Sequence, residues 1–475
     1  MKPTAPFRPA SRGTKRLDNK RPDAKPSAPR TQAPMRVPDH PGLAARLVAQ
    51  TAVISVVENH LPLSDWFEGP AAETLIFSME ARDIALARSI ALTTLRHLGS
   101  LRQAVARFLE RGIPRKSGPL EIVLLISAAQ ILYMDVPDHA AVDLAVRLAR
   151  MDRNAGGFAG LANGVLRNII RARAELLHTD PLKFDTPQWL AQSWIQTYGL
   201  ATAQKIAQAN ATEPTLDLTV KSDAAGWAKR LGGHILPTGS VRLEQHQPIA
   251  ELEGYAAGEF WVQDSAASLP ARLLATMPGE RVADLCAAPG GKTAQLALTG
   301  ADVTAFDRSA HRLKRVSENL ARLKLPAKIV VVDLVEAKVE APLFDAVLLD
   351  APCTATGTIR RHPDVARVKQ PEDVIALADI QRQMLDKAFD MLKPGGRLVY
   401  CVCSLQEEEG PAQIRDFLAR NPGMQRLPIS VNEVGLAEII TPDGDLRTLP
   451  HHLSGQTARL SGLDGFYAAR LQRKN

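Results

Sequence analysis

Cys353 and Cys403 each lie just beyond an apolar run, in Leu348-Leu-Asp350-Ala-Pro-Cys353-Thr and in Val399-Tyr-Cys-Val-Cys403-Ser-Leu-Gln-Glu-Glu-Glu409. Short apolar runs bounded by turn signals read as strands, so both thiols sit where a chain turns outward. A lone buried cysteine is most often a small core hydrophobe, and that is the reading for Cys286 and Cys401. Two thiols at strand tips beside the carboxylate of Asp350 need another account. A thiolate that adds to C6 of a pyrimidine makes an enamine-like carbon at C5, which can take a methyl group from a methylsulfonium. The adduct must then lose its C5 proton and expel the thiol. One cysteine to attack, a carboxylate to hold the base and a second group to assist release meet these needs. The base would first have to leave any stack. The residue types alone do not say which thiol attacks.

A second constellation is Asp284-Leu-Cys286-Ala287-Ala288-Pro289-Gly290-Gly291-Lys292-Thr293, at the end of another apolar run. Two glycines let backbone approach a ligand closely at the start of a helix. The loop is not a P-loop, because the first glycine of that motif falls on Cys286. It is not a dinucleotide fingerprint either, and a tight structural turn stays open as a reading. The following apolar runs end in Asp307, Asp333 and Asp350. Any one of these is as readily a helix cap. Together, at successive strand tips, they suit a ligand with a ribose, an adenine amine and a positive charge.

To position these groups the chain must supply strands that alternate with helices. Runs at 281–285, 303–306, 329–332, 346–349 and 397–402, separated by amphipathic stretches at 309–323 and 372–392, predict an α/β Rossmann-like domain over 261–475. Its sheet would be parallel, covered by helices on both faces, and closed by a last strand at 465–471. Residues 40–178 show helical spacing and few strand signals, which predicts an all-α domain. Residues 179–260 mix a helical stretch at 187–210 with strand-like runs at 216–220 and 235–236, which predicts a small α/β connector.

Within the 475 residues the net charge of +7 is uneven. Residues 1–39 hold ten Lys and Arg against three Asp, and the remainder carries 48 of each sign. Rich in Pro, Lys, Arg and Ser, this segment is expected to be a disordered basic arm. Any nucleic-acid face on the folded part must then come from local clustering of charge. Four cysteines without disulfide-framework or zinc-ligand spacing predict a reducing cytoplasm and no metal. No apolar leader follows the initial charges. The longest apolar run, 120–134, is too short to span a bilayer and reads as a buried helix, so no membrane partner is expected.

The motifs DLCAAPGGKT at 284–293, DAPCTATGTIRRHPD at 350–364 and CSLQEEE at 403–409 resemble those of the NOL1/NOP2/Sun family of RNA cytosine-5 methyltransferases, in its bacterial branch acting on small-subunit ribosomal RNA. WVQDSAASLP at 261–270 and DGFYAARL at 464–471 extend the match. The resemblance implies a class I methyltransferase domain using S-adenosyl-L-methionine on 16S ribosomal RNA, in a monomer. It implies that Cys403 is the nucleophile, that Cys353 assists release and that Asp350 contacts the cytosine. Cofactor contacts would fall to Cys286, Ala287, Ala288, Pro289, Gly290, Gly291, Lys292, Asp307, Asp333 and Asp350. VPDHAAVD at 136–143 and FAGLANGVLR at 158–167 resemble the NusB-like RNA-binding domain that such enzymes carry. The chain departs from the family pattern at Cys401, Val402 and Gly410, and in the connector at 216–221. Two alternatives stand beside it: cytosine-5 methylation of transfer RNA, and an RNA-binding assembly factor with a non-catalytic methyltransferase fold.

Overall fold

The computed structural model of the chain describes residues 40–245, 247–336 and 343–475. The basic arm expected at 1–39 lies outside the described residues.

Six longer helices build the N-terminal region: α1 (Leu43–Asn59), α2 (Ala81–Arg96), α3 (Leu98–Ala106), α4 (Leu120–Tyr133), α5 (Asp138–Met151) and α6 (Ala159–Arg171). They enclose one apolar core running from Leu43 to Leu176. α4 is the run 120–134 read from the sequence. It is buried around its whole circumference, which is why it shows no polar face.

The stretch expected as one helix at 187–210 is two, α7 (Gln188–Tyr198) and α8 (Leu200–Asn210), broken at Gly199 with φ 80°. Their apolar faces pack on Ile359, Leu405 and Leu449 far along the chain. Strands β1 (Asp217–Val220), β2 (Gly233–Ile235), β3 (Val241–Leu243) and β4 (Phe260–Val262) then form an antiparallel sheet in the order β2-β3-β1-β4. β3 and β4 gave no sequence signal, because three residues are too few to display a period of two.

The second sheet has eight strands among the described residues. β5 (Arg281–Leu285) leads through α9 (Gly291–Leu298) to β6 (Asp302–Asp307), then through α10 (Ala310–Leu323) to β7 (Lys328–Val331). β8 (Phe344–Asp350) is followed by α11 (Pro371–Asp390), β9 (Leu392–Val402) and α12 (Pro411–Arg420). β10 (Met424–Arg426), β11 (Leu446–Thr448) and β12 (Phe466–Arg473) complete it. Strands β5 to β9 are mutually parallel, in the order β9-β8-β5-β6-β7. The final strand is antiparallel to β9, and it does not close the sheet as expected. β10 pairs on its outer side and β11 also pairs with it, so the sheet is mixed. Both extra strands have three residues, again below the length that leaves a pattern.

Side chains alternate across this sheet, as the pleat requires. Leu398, Tyr400 and Val402 of β9 enter one apolar cluster, and Val399 and Cys401 enter the other. α10 buries Leu313, Val316, Leu320 and Leu323 at helical spacing, and Ser309 caps it by accepting from the Arg312 N–H. α11 begins with a Gln370/Asp373 capping box and Pro371 in its first turn. Strand order reverses between β5 and β8, and open α/β sheets bind ligands beyond the carboxyl ends of the strands at such a point.

The helical region is tied to the segment that follows β8. The Leu63 N–H donates to Asp364 at 2.9 Å, Arg96 donates to the carbonyls of Arg360 and Asn210, and Arg367 donates to the Asp185 carbonyl at 2.6 Å. Glu68 pairs with Arg315 of α10 at 2.6 Å.

Candidate active site

The parallel register aligns Asp350 with Cys401 across β8 and β9. Both chains then leave the sheet side by side, and the Sγ atoms of Cys353 and Cys403 come to 3.5 Å. Both thiols are partly accessible. The bond to Cys403, with burial and the nearby Glu409 carboxylate adding to it, holds the Cys353 thiol well above its usual pKa. The Cys353 thiol is thereby held protonated, within hydrogen-bond distance of the Cys403 sulfur.

The Asp350 carboxylate accepts from Lys292 at 2.7 Å through one oxygen and from the Cys401 thiol at 3.4 Å through the other. Burial alone would lower the Lys292 pKa, but the contact with Asp350 outweighs it and keeps the ammonium charged. Its far side faces the Phe466 ring at 5.0 Å, a cation–π contact. Each carboxylate oxygen has a second lone pair, so Asp350 can still accept from an exocyclic amine. Cys401 is fully buried in the core, as read from the sequence, yet it also touches this carboxylate.

Across the switch point, Cys286 at φ 65° and Gly290 at φ 101° turn the chain out of β5 and into α9. A Cβ at Gly290 would lie 3.0 Å from Val316 of α10, so glycine is required there for space as well as conformation. Asp307 braces this loop: it accepts from the Ala288 N–H at 3.2 Å and the Ser309 N–H at 2.9 Å. Asp333 lies half-buried past β7 and accepts from the Val335 N–H at 3.0 Å. Among the described residues no hydrogen bond joins it to the loop. Asp284 is buried beneath, accepting from Thr293 at 2.6 Å, and its other oxygen has no partner among the described residues.

Two supports escaped the sequence reading. The first is Glu409, buried where the chain leaves the thiol loop. Its carboxylate accepts from the Thr354 N–H at 2.8 Å, the Gln381 amide at 3.1 Å and the Thr354 and Ser404 hydroxyls. It thus ties the residue after Cys353 to the residue after Cys403. Burial pushes its pKa up, against those bonds. The second is a buried ionic cluster. Arg361 contacts Asp264 at 2.5 Å, Asp464 at 3.3 Å and Asp217 at 3.6 Å, Arg360 contacts Asp264 and Asp464, and Arg242 chelates Asp217 at 2.7 and 2.8 Å. It fastens the segment after Cys353 to β1, β3 and the approach to β12. At Gly357 a Cβ would fall 1.9 Å from the Gly465 carbonyl, which locks the two backbones together. Apart from Arg242 and Gln381, these residues lie inside the segments quoted above. Nothing in their spacing revealed that acids and arginines far apart in sequence would neutralise one another.

Fold and site together define a methyltransferase carrying a NusB-like helical region. Residues 271–472 match the family described as 16S rRNA methyltransferase RsmB/F, and residues 43–171 match the NusB family. The chain is 35% identical over 451 residues to ribosomal RNA small subunit methyltransferase B of Cronobacter sakazakii, covering 90% of this chain and 98% of that protein. It belongs to that family. The crystal structure of PH0851 superposes with a TM-score of 0.68 at 21% identity over 92% of this chain and all of that one, a likeness of fold. A methyltransferase homolog protein from Pyrococcus horikoshii superposes at 0.50 with 25% identity, over 60% of this chain and 95% of the other. Among the described residues no helix is long and apolar enough to cross a membrane.

Proposed function

We propose that the chain methylates C5 of a cytosine in small-subunit ribosomal RNA through a covalent bond from Cys403 to C6, with S-adenosyl-L-methionine as methyl donor. The observation that carries this reading is the pair of sulfurs 3.5 Å apart, beside the Asp350–Lys292 ion pair at the switch point of the sheet. The family match to small-subunit ribosomal RNA methyltransferases supports the substrate.

The cofactor fits the residues present. The turn at Gly290 and Gly291 leaves room beside Val316 and Gln263 that any Cβ would take up, Asp307 keeps lone pairs free for ribose hydroxyls, and Asp284 holds an unpartnered buried oxygen. Cys286 to Lys292, Asp307, Asp333 and Asp350 are the residues we assign to it. When bound, S-adenosyl-L-methionine supplies an electrophilic methyl on a sulfonium.

The protein's own groups do the rest. We assign the attack to Cys403, and the release step to Cys353, held protonated beside it. The Cys403 sulfur bonds to C6, and the C5–C6 double bond opens toward C5. Asp350 orients the base through its exocyclic amine, and Lys292 holds the Asp350 carboxylate in place at 2.7 Å. After C5 has gained a methyl, its proton passes to solvent water, which reaches the partly accessible thiols. The double bond re-forms, and the S–C6 bond breaks with Cys353 assisting as proton donor to the departing sulfur.

The test is methyl transfer from labelled cofactor to unmethylated small-subunit ribosomal RNA, followed by nucleoside analysis. Label in 5-methylcytosine is expected, and label elsewhere would reject the reading. Cys353→Ala should accumulate an RNA adduct that survives denaturation, whereas an adduct trapped by Cys403→Ala would exchange the two roles.

A further inference from the structure

Helices α7 and α8 lie between the two family-matched segments, 43–171 and 271–472, and they stand where both thiol-bearing chains arrive. The apolar face that includes Leu190, Trp194 and Ile206 buries Leu405, which follows Cys403, together with Ile359, which follows Cys353. One chain comes off β9 and the other off β8, so a single helical face receives both.

Each arriving segment is also pinned at its backbone. Tyr198, the last residue of α7, donates its hydroxyl to the Leu405 carbonyl at 2.6 Å. Burial raises the Tyr198 pKa, so the hydroxyl stays a donor. Gln406 donates to Ser193 of α7 at 3.2 Å. On the other segment, buried Arg96 at the end of α2 donates from one nitrogen to the Arg360 carbonyl, and also to the carbonyl of Asn210, the last residue of α8, at 3.0 Å. The two segments are in turn tied to each other. The Gly357 N–H donates to the Cys403 carbonyl at 3.0 Å, and the Leu405 N–H donates to the Thr356 hydroxyl at 3.0 Å. Apolar packing is non-directional, whereas hydrogen bonds demand a distance and an angle. The apolar face thus gathers the two segments, and Tyr198 and Arg96 fix where each one stops.

We infer that the α7–α8 pair, with Arg96 behind it, sets the separation of the two thiols, and that Tyr198 and Arg96 are positioning residues for the step in which Cys353 releases the RNA from Cys403. The inference rests on the proposed function for the roles of the thiols. Attack needs one sulfur at the base, but release needs the Cys353 proton to reach the departing Cys403 sulfur, so release is the first step to feel a change of spacing. A donor misplaced by about 1 Å can cost about 100-fold in rate.

The experiment uses the full chain with labelled cofactor and an unmethylated small-subunit ribosomal RNA transcript. It reads kcat, KM for RNA, and the fraction of enzyme held during turnover as an RNA adduct that survives denaturation. Tyr198→Phe keeps the ring and removes one hydroxyl. Its kcat should fall about 5- to 20-fold, part of the cost of a full misplacement. KM for RNA should fall with it and leave kcat/KM near the wild type, because the steps up to attack are untouched. The adduct fraction should rise about twofold or more as release becomes the slow step, while Tm and cofactor affinity stay near the wild type. Arg96→Met keeps an apolar stem and removes the donors; it should lower kcat further, with Arg96→Lys recovering part of the loss. Should Arg96→Met not fold, Tyr198→Phe decides the matter by itself. Wild-type kcat and adduct fraction in Tyr198→Phe would overturn the inference. A kcat that falls in step with adduct and folded fraction would also overturn it, since support of stability alone does that, as would a raised KM with kcat unchanged. A wild-type chain that makes no 5-methylcytosine would remove the proposed function and this inference with it. A wild-type chain that makes it, matched by Tyr198→Phe in every reading, would remove the inference alone.

Discussion

The two halves of the sheet edge hold their functional groups by different means. On the β5–β7 side the backbone does the holding: Cys286 and Gly290 in left-handed conformations, and Asp307 gripping two N–H groups. On the β8–β9 side the holding is by side chains: Glu409 with four donors, and arginines threaded between buried aspartates. The loop proposed to lie against the cofactor is shaped by backbone turns at Cys286 and Gly290. Two thiols that must keep a fixed separation are spaced by a polar frame behind them. The first arrangement should therefore fail in binding, and the second in turnover.

The largest break in that comparison is Cys403→Ala. It removes the sulfur proposed to bond to C6, and loss of a covalent nucleophile costs about 10⁴-fold or more in rate. Labelled methyl transfer should be abolished while calorimetry still finds cofactor binding, because no contact of the glycine loop is touched. Measurable transfer at more than a hundredth of the wild-type rate would move the nucleophile elsewhere.

Next is the frame. Glu409→Ala leaves the Thr354, Ser404 and Gln381 donors buried without an acceptor, at about 1–3 kcal/mol for each group that finds no new partner. It also frees the spacing of the thiols, so kcat should fall on the order of 100-fold, the cost of a misplacement of about 1 Å. Glu409→Gln should recover most of it. Its amide oxygen still serves two N–H donors, and the hydroxyls of Thr354 and Ser404 can turn to accept from its NH₂. Cofactor affinity should be unchanged in both variants. If it drops along with kcat, the two halves are not independent.

Gly290→Ala tests the other half. Its Cβ would need φ near 101° and 3.0 Å of room at Val316, a strain of about 1–3 kcal/mol. Cofactor binding measured by calorimetry should weaken about tenfold, and transfer should recover at high cofactor concentration. A kcat defect that saturating cofactor does not repair would place Gly290 in the thiol frame instead.

This division also explains what the sequence revealed. The backbone-built side is contiguous, and Pro289-Gly290-Gly291 with an aspartate at the next strand tip could be read directly. The thiols were legible because cysteine is rare in this chain and each follows a strand run. Their supports were not, since Glu409 meets Gln381 and Thr354 only through tertiary packing, and Asp217, Asp264 and Asp464 converge from three separate segments. A charged residue read singly looks like solvated surface, and burial in a neutralised cluster has no periodicity. Strands β3, β4, β10 and β11 were missed for a related reason: short edge pieces are selected by the neighbour they pair with.

The smallest effect concerns Asp284, which lies beneath the backbone-built side and accepts from Thr293. Burial pushes its pKa up to about 7, against the bond from Thr293. Below pH ~4, the ordinary carboxylate range, folded and unfolded chains both hold this proton, and its contribution to stability is fully present. As pH climbs toward 7 the unfolded chain releases the proton while the folded chain keeps it, so stability is lost across that window, and above it the folded state carries the whole cost of a buried charge. Asp284→Asn removes this titration. Denaturant unfolding followed from pH 4.5 to 7 should lose a downward slope of at most about 1.4 kcal/mol per pH unit, the value for one proton. Glu409 is also pushed up by burial, so the wild type and Glu409→Gln should share the Asp284 part of the slope and differ only in the remainder. If Asp284→Asn instead leaves the profile as steep as the wild type, the carboxylate is ionised in the folded chain and the charge beneath the cofactor loop is balanced by Lys292 at longer range.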